Sequence, residues 1–361
     1  MKENNKNIFI VMFFIVILFG SFMINLIKDD QLISYSERRK LTTLENATIK
    51  NIFNGSYFKN FDNYTTDQFL LREEFRKLKS FVELKIFNKK DYNDIYYKDG
   101  YLIQQQTKYN KDSLINVTNK INNIINNYNL NNNIYYSVIP DKDYFIKDDL
   151  KLDYDLLIQD YKDNIKKGKY IDLLNVLKLK DYYYSDSHWK QENLNKVVKK
   201  LNQEMKFTNK VIRNYDIINI GEFSGVYNGQ IPYYNINDNL NLLTNEAILN
   251  ADVEYLDDKK LNSIYIEKEI VNDLYDIYLG GAKSIIKIKN NESTNEKNLI
   301  IFRDSFSSSL APLLVNYYNN ITLIDTRYIY SNILGEYVDF NNSDILFLYS
   351  ISLINDSVTL K

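Results

Sequence analysis

Four segments stand out when apolar and polar positions are followed along the chain. Residues 8–27 form an almost uninterrupted apolar run, broken only by Gly20, Ser21 and Asn25. At 1.5 Å per residue these 20 positions span about 30 Å, the thickness of a bilayer core. From Asp29 to about Asn110 the apolar residues recur at helical intervals, over residues 49–53, 58–71 and 73–88. This predicts a helical preface in which Asp67, Phe69 and Arg72 cap and pack a helix pair. Residues 91–105 predict a short hairpin turning at Asp99-Gly100, a turn-favouring pair.

Beyond the preface, helix and strand patterns alternate. Leu114, Val117, Ile121, Ile124 and Ile125 share one face of a helix over residues 113–128, and residues 134–139 read as a strand stopped by Pro140-Asp141. Further helices are predicted over 154–167 and 192–204, with a short element at 170–176 and a loop at 181–189. Residues 264–289 suggest β structure around Gly280-Gly281, and 321–324 and 345–348 supply closing strands. Residues 207–263 carry no clear pattern; within them Phe223 to Gly229 reads as a turn-rich, substrate-contacting loop. The alternation argues for an α/β fold, a parallel sheet flanked by helices, whose functional residues gather at the carboxyl ends of the strands.

The fourth segment is Leu299-Ile300-Ile301-Phe302, a buried-strand run that stops at Arg303-Asp304 and passes into a helix over residues 306–318. Ser305 therefore sits at a strand-to-helix junction, where a nucleophile gains backbone N–H groups and exposure above a sheet. By itself such a serine is usually only a helix cap. The chain has one histidine, His188, and one tryptophan, Trp189, adjacent in Asp186-Ser187-His188-Trp189. Any imidazole general base must be His188, and a carboxylate two residues earlier can orient it if the segment is extended. Together these residues point to a Ser305–His188–Asp186 acyl-transfer triad.

Composition narrows the setting. Formal net charge is −2 with positive charges dispersed, so nothing suggests nucleic acid. With no cysteine there is no disulfide, thiol nucleophile or thiolate metal site, and a lone histidine argues against catalytic zinc. No organic cofactor is indicated. Lys2 and Lys6 precede the apolar run against Glu3, whereas Lys28, Asp29 and Asp30 follow it, which places the body outside the cytoplasm. A cleaved signal peptide is the alternative; the length of the run and the lack of a small-x-small site after it favour an uncleaved anchor.

Asp186-Ser187-His188-Trp189 followed by Arg303-Asp304-Ser305-Phe306 resembles the DHHW family of exported proteins, related to AlgX/AlgJ-type polysaccharide O-acetyltransferases. Asp67-Gln68-Phe69-Leu70-Leu71-Arg72, Lys98-Asp99-Gly100-Tyr101-Leu102, Val138-Ile139-Pro140-Asp141-Lys142, Tyr278-Leu279-Gly280-Gly281 and Thr322-Leu323-Ile324-Asp325-Thr326-Arg327-Tyr328 are similar too, in the family's order. Ser187 stands where the family name has its first histidine, and Ala282 where a polar residue is expected. The resemblance implies an SGNH-hydrolase-like fold, and the patterns above divide the chain into three parts: residues 1–30 as cytoplasmic stub and transmembrane anchor, 31–110 as helical preface and hairpin, and 111–361 as SGNH-like catalytic domain. It implies an O-acetyltransferase at the cell membrane, carrying acetyl through Ser305 to a hydroxyl of an exported or cell-surface polysaccharide. The Ser305 N–H and Gly281 are its expected oxyanion donors, and a membrane-bound O-acyltransferase its expected donor partner. The rival readings are a carbohydrate acetyl esterase with the same triad and a non-catalytic glycan-binding scaffold of an export complex.

Overall fold

The computed structural model describes residues 2–131, 133–146, 152–208 and 214–361. The chain divides into two compact units, Met1–Asn93 with Asn228–Asn235, and Asp94–Tyr227 with Ile236–Lys361.

The first unit opens with helix α1, Lys2–Ile27. Its stretch Asn5–Ile27 has a mean hydropathy of 2.7 and none of it is buried; among the described residues it is the one helix long and apolar enough to cross a membrane. Helices α2, Ser56–Asp67, and α3, Arg72–Phe81, follow, α3 running on into a wide π-type turn, Val82–Ile86. Polar side chains bind this unit together. Arg39 donates to the buried Asp67 carboxylate at 2.9 Å, as do the Thr42 N–H and hydroxyl, both at 2.9 Å. Arg72 pairs with Glu37 at 2.6 Å and Glu73 at 2.9 Å, and Arg76 with Glu73 at 2.8 Å. Phe69 packs edge-on against Phe75 of α3, with ring centroids 5.6 Å apart, and is 43% exposed.

The second unit is an α/β sandwich. Its sheet comprises β1 (Ile134–Ile139), β2 (Lys169–Ile171), β3 (Asp252–Tyr255), β4 (Asp258–Asn262), β5 (Ile285–Lys289), β6 (Asn298–Arg303), β7 (Asn320–Ile324) and β8 (Ser343–Ser350), in the order β4-β3-β5-β7-β6-β8-β1-β2. From β7 to β2 every pairing is parallel; β5, β3 and β4 add an antiparallel extension. Helices α4 (Lys111–Asn127) and α5 (Tyr154–Asn164) cover one face, against Ile300, Phe302, Ile345 and Phe347. Helices α6 (Asn195–Met205) and α7 (Ser307–Leu314) cover the other, against Leu299, Ile301, Leu346 and Leu348. Burial on both faces explains why β6 and β8 are continuously apolar rather than alternating. The parallel register sets Phe302 beside Phe347 and Ile324, so the carboxyl ends of β6, β7 and β8 share one edge.

Two regions differ from the sequence pattern. The unpatterned stretch 207–263, of which 209–213 lie outside the described residues, holds an antiparallel hairpin, Asp216–Ser224 with Asn237–Thr244, as well as β3 and β4. Its Asn- and Asp-rich sequence disfavours strands locally, but Phe223, Leu240 and Leu242 gain burial against Tyr183, Tyr275 and Tyr278. In 264–289 only Ile285–Lys289 belongs to a strand; 3₁₀ turns Lys268–Ile270 and Leu274–Ile277 occupy much of the remainder.

The Arg39 hydrogen bond outweighs burial and holds the Asp67 carboxyl well below the usual carboxylate range. A lowered folded-state pKa supplies stability above the ordinary value of 3.8 that is lost as pH falls below it. Asp67→Asn is therefore expected to destabilise this unit at neutral pH by about 1–2 kcal/mol. Thermal unfolding followed by circular dichroism should show the difference from wild type shrinking towards about pH 3.

Candidate active site

Strand β6 delivers Arg303 to the carboxyl edge, and the chain turns at Asp304-Ser305 into α7. The turn is tied on both sides. Asp304 Oδ1 accepts the Phe306 N–H at 3.1 Å, and Oδ2 accepts the Ser350 N–H at the end of β8 at 2.7 Å. The Ser308 N–H donates to the Ser305 carbonyl at 3.0 Å. Among the described residues the Ser305 N–H has no hydrogen-bond partner. Arg303 points into the interior, its Nη1 donating to Ser308 Oγ at 2.6 Å while Nε and Nη2 stay buried without a partner. Burial lowers its pKa from the ordinary value.

His188 and Asp186 arrive on a tight loop closed by the Tyr183 N–H to His188 carbonyl bond, 3.0 Å, and the Lys190 N–H to Asp181 carbonyl bond, 2.7 Å. The loop is turned rather than extended: Asp186 Oδ1 accepts both the His188 backbone N–H at 3.0 Å and ring Nδ1 at 2.6 Å. A short side chain that caps the backbone two residues on is a turn device, and here it also fixes the imidazole. His188 Nε2 lies 2.7 Å from Ser305 Oγ. The structure thus brings Ser305, His188 and Asp186 into one hydrogen-bonded line, with the imidazole 14% exposed and the carboxylate buried. Tyr275 stacks on the imidazole at 3.8 Å between centroids, and Phe306 lies at 4.9 Å. Trp189 ties the loop to α7, its Nε1 donating to the Phe306 carbonyl at 3.0 Å and Ser309 Oγ at 2.9 Å.

Several supports lie outside the triad motifs. Buried Asp238, in the 237–244 strand, accepts the Tyr184 N–H at 2.9 Å and the Ser185 N–H and hydroxyl at 3.0 Å each. Buried Lys142 donates to the Tyr183 and Tyr184 carbonyls at 3.1 and 3.2 Å, and lies over the Tyr227 ring at 4.9 Å. Burial pushes its ammonium down to about 7, against the pull of Asp186 and Asp238. The segment read as a substrate loop lies against Asp186. The Val226 N–H donates to Asp186 Oδ2 at 2.9 Å and the Gly225 N–H to Ser185 Oγ at 2.9 Å. A Cβ on Gly225 would sit 2.3 Å from the Ser185 carbonyl atoms, so the approach requires glycine.

Gly281 has φ +76°, and a Cβ there would fall 2.5 Å from the Asp276 carboxylate. Among the described residues no hydrogen bond joins Gly281 to Ser305. Nor does any group of three or more His, Cys, Asp or Glu among them form a metal-binding cluster.

A mostly parallel sheet whose middle strand turns a serine into a helix, facing a histidine from a separate loop, is the architecture of SGNH-hydrolase-like α/β proteins. The structure is similar to that of a DHHW family protein from Eubacterium siraeum, with 17% identity and a TM-score of 0.62 over 73% of this chain and 92% of that one. It is also similar to Bacillus cereus PatB1, with 18% identity and a TM-score of 0.58 over 72% and 96%. PatB1 with a sulfonyl adduct gives 16% and 0.58 over 73% and 96%. The chain therefore shares its fold with PatB1. No protein-family model and no curated protein matches the sequence.

Because Lys142 titrates at about 7 when folded against an ordinary 10.5, the unfolded chain binds more protons between those values. Stability therefore gains from this residue as pH rises through that window. In Lys142→Met that gain should vanish, measured as the urea-unfolding free energy at about pH 6.5 and about pH 9.5 beside wild type.

Proposed function

We propose that this protein is a membrane-anchored, extracytoplasmic O-acetyltransferase that moves acetyl through Ser305 onto a hydroxyl of an exported or cell-surface polysaccharide. The observation that carries this reading is the relay of 2.7 Å and 2.6 Å from Ser305 Oγ through His188 to Asp186. His188 Nε2 takes the Ser305 proton as Oγ attacks the acetyl carbonyl, and returns it to the departing donor group. The acceptor hydroxyl then gives its proton to Nε2 and attacks the acetyl-enzyme; Ser305 leaves with the proton restored. Asp186 holds the proton on Nδ1, so that Nε2 faces the serine as a base. The unpartnered Ser305 N–H supplies one oxyanion donor. No hydrogen bond joins Gly281 to Ser305 among the described residues, so the second donor is left unassigned. Tyr275, stacked flat on the imidazole, and Phe306, tilted at 55° beside it, shield it from water.

The apolar helix Asn5–Ile27 supports anchorage, with the body outside the cytoplasm. Acetyl-CoA is a cytoplasmic donor, so a membrane-bound O-acyltransferase partner is proposed to hand acetyl across. The sulfonyl adduct solved for PatB1 supports a reactive nucleophile in this fold.

The test is intact mass of the full chain in detergent after exposure to phenylmethylsulfonyl fluoride. One adduct is expected on wild type and none on Ser305→Ala. Turnover of an activated acetyl ester should fall about 10³-fold or more in His188→Ala and Asp186→Asn. Acetylated oligosaccharide should appear when an acceptor glycan is added. Release of acetate alone would favour the esterase; an inert, well-folded wild type would favour the scaffold. Gly225→Ala, which pushes Asp186 off its line, should lower turnover about 100-fold.

A further inference from the structure

Helices α2 and α3 have their polarity inverted. A surface helix ordinarily turns its apolar stripe to the core and its charges to water. Here the inward stripe of α2 is polar: Asn60 accepts the Glu45 N–H at 3.1 Å, Tyr64 donates to Asp30 at 2.9 Å, and Asp67 takes Arg39 and Thr42. The inward stripe of α3 carries Arg72, Arg76 and buried Ser80. The outward stripes carry the large apolar side chains, with Asp62 and Thr65 beside them on α2. Phe58 and Phe61 on α2, Phe69 in the connection, and Leu71, Phe75 and Leu78 along α3 are each between 43% and 62% exposed. The Phe69 and Phe75 rings meet edge-on at 5.6 Å, which makes the two stripes one surface.

The chain itself shows what that surface faces. Gln68 immediately precedes Phe69 and is bound to the first residues after the apolar span. Lys28 Nζ donates to the Gln68 carbonyl at 2.9 Å, and the Gln68 amide exchanges two 2.9 Å hydrogen bonds with the Gln31 backbone. The apolar surface thus begins one lysine side chain from the end of the span. We infer that α2 and α3 lie in the interface of the lipid bilayer, their phenylalanine and leucine stripe among the acyl chains and their polar stripe towards the protein. Amphipathic helices bind membranes in this way, the apolar face sinking about 5–10 Å below the headgroups. The inference rests on α1 spanning the membrane.

The sequence has no cysteine, so single-cysteine probes need no background removal. Full-length Phe14→Cys, Phe58→Cys, Leu78→Cys and Asn63→Cys would each carry an environment-sensitive nitrobenzoxadiazole label. They would be reconstituted into phosphatidylcholine vesicles with or without lipid bearing a doxyl quencher near the headgroup. Phe14 reports the span, and exposed Asn63, on the far side of α2 from Phe58, reports water. Labels at Phe58 and Leu78 are expected to be quenched at least about threefold more than that at Asn63. Equal quenching at Phe58, Leu78 and Asn63 with Phe14 quenched would overturn the inference while leaving the anchor. Shielding of Phe58 and Leu78 without lipid quenching would mean that a protein, a second copy or another chain, covers the stripe, and would overturn it too. An unquenched Phe14 would remove the anchor reading and this inference together.

Discussion

The Asp186 carboxylate is withdrawn from water, and a buried anion is tolerated only when its oxygens are hydrogen-bonded. Its partners are the His188 ring, the His188 backbone and the Val226 backbone, and satisfying them dictates the local structure. One oxygen folds the loop by binding the residue two ahead. The other draws in a distant segment, which approaches closely because Gly225 has no side chain. Ser185, next door, is bound in turn by Asp238, and the carbonyls before it by Lys142. The histidine has little freedom left, and Trp189 joins its loop to the helix that starts at the serine.

This arrangement explains what could be read from sequence and what could not. Ser305 was visible because a doubly buried parallel strand needs an unbroken apolar run, and the end of that run is conspicuous. Asp186 and His188 were visible because the chain has a single histidine. Asp238 was not, since it acts through contacts made across tens of residues and sits in no distinctive local pattern; Gly225 stood out as part of a turn-rich stretch, but its packing against Asp186 did not. The hairpin that carries Asp238 was hidden for a related reason: its asparagines and aspartates are poor strand formers, and pairing with burial overrides them. In the preface, periodicity revealed the helices but not their orientation. A stripe at helical spacing records that two environments exist without saying which is the protein interior.

The two units therefore rest on different physics. The second is an apolar sandwich with a few buried charges at one edge of its sheet. The first is held by arginine, aspartate and glutamate facing inward, with its phenylalanines outward. The Asp67 carboxylate has, in that unit, the organising part that the apolar strands have in the other.

Strand order also constrains assembly in time. β8, contributed by Ser343–Ser350, lies between β6 and β1, so a central strand follows in sequence both of the strands it pairs with. Until it arrives, β6 lacks a neighbour on one side and the Ser350 N–H cannot hold Asp304. Pairings between segments about 200 residues apart form slowly, because the loop must close before the contacts reward it. A chain that emerges amino end first would therefore leave Asp304 unheld on that side until β8 has emerged. The serine turn is held on both sides only once β8 is in place.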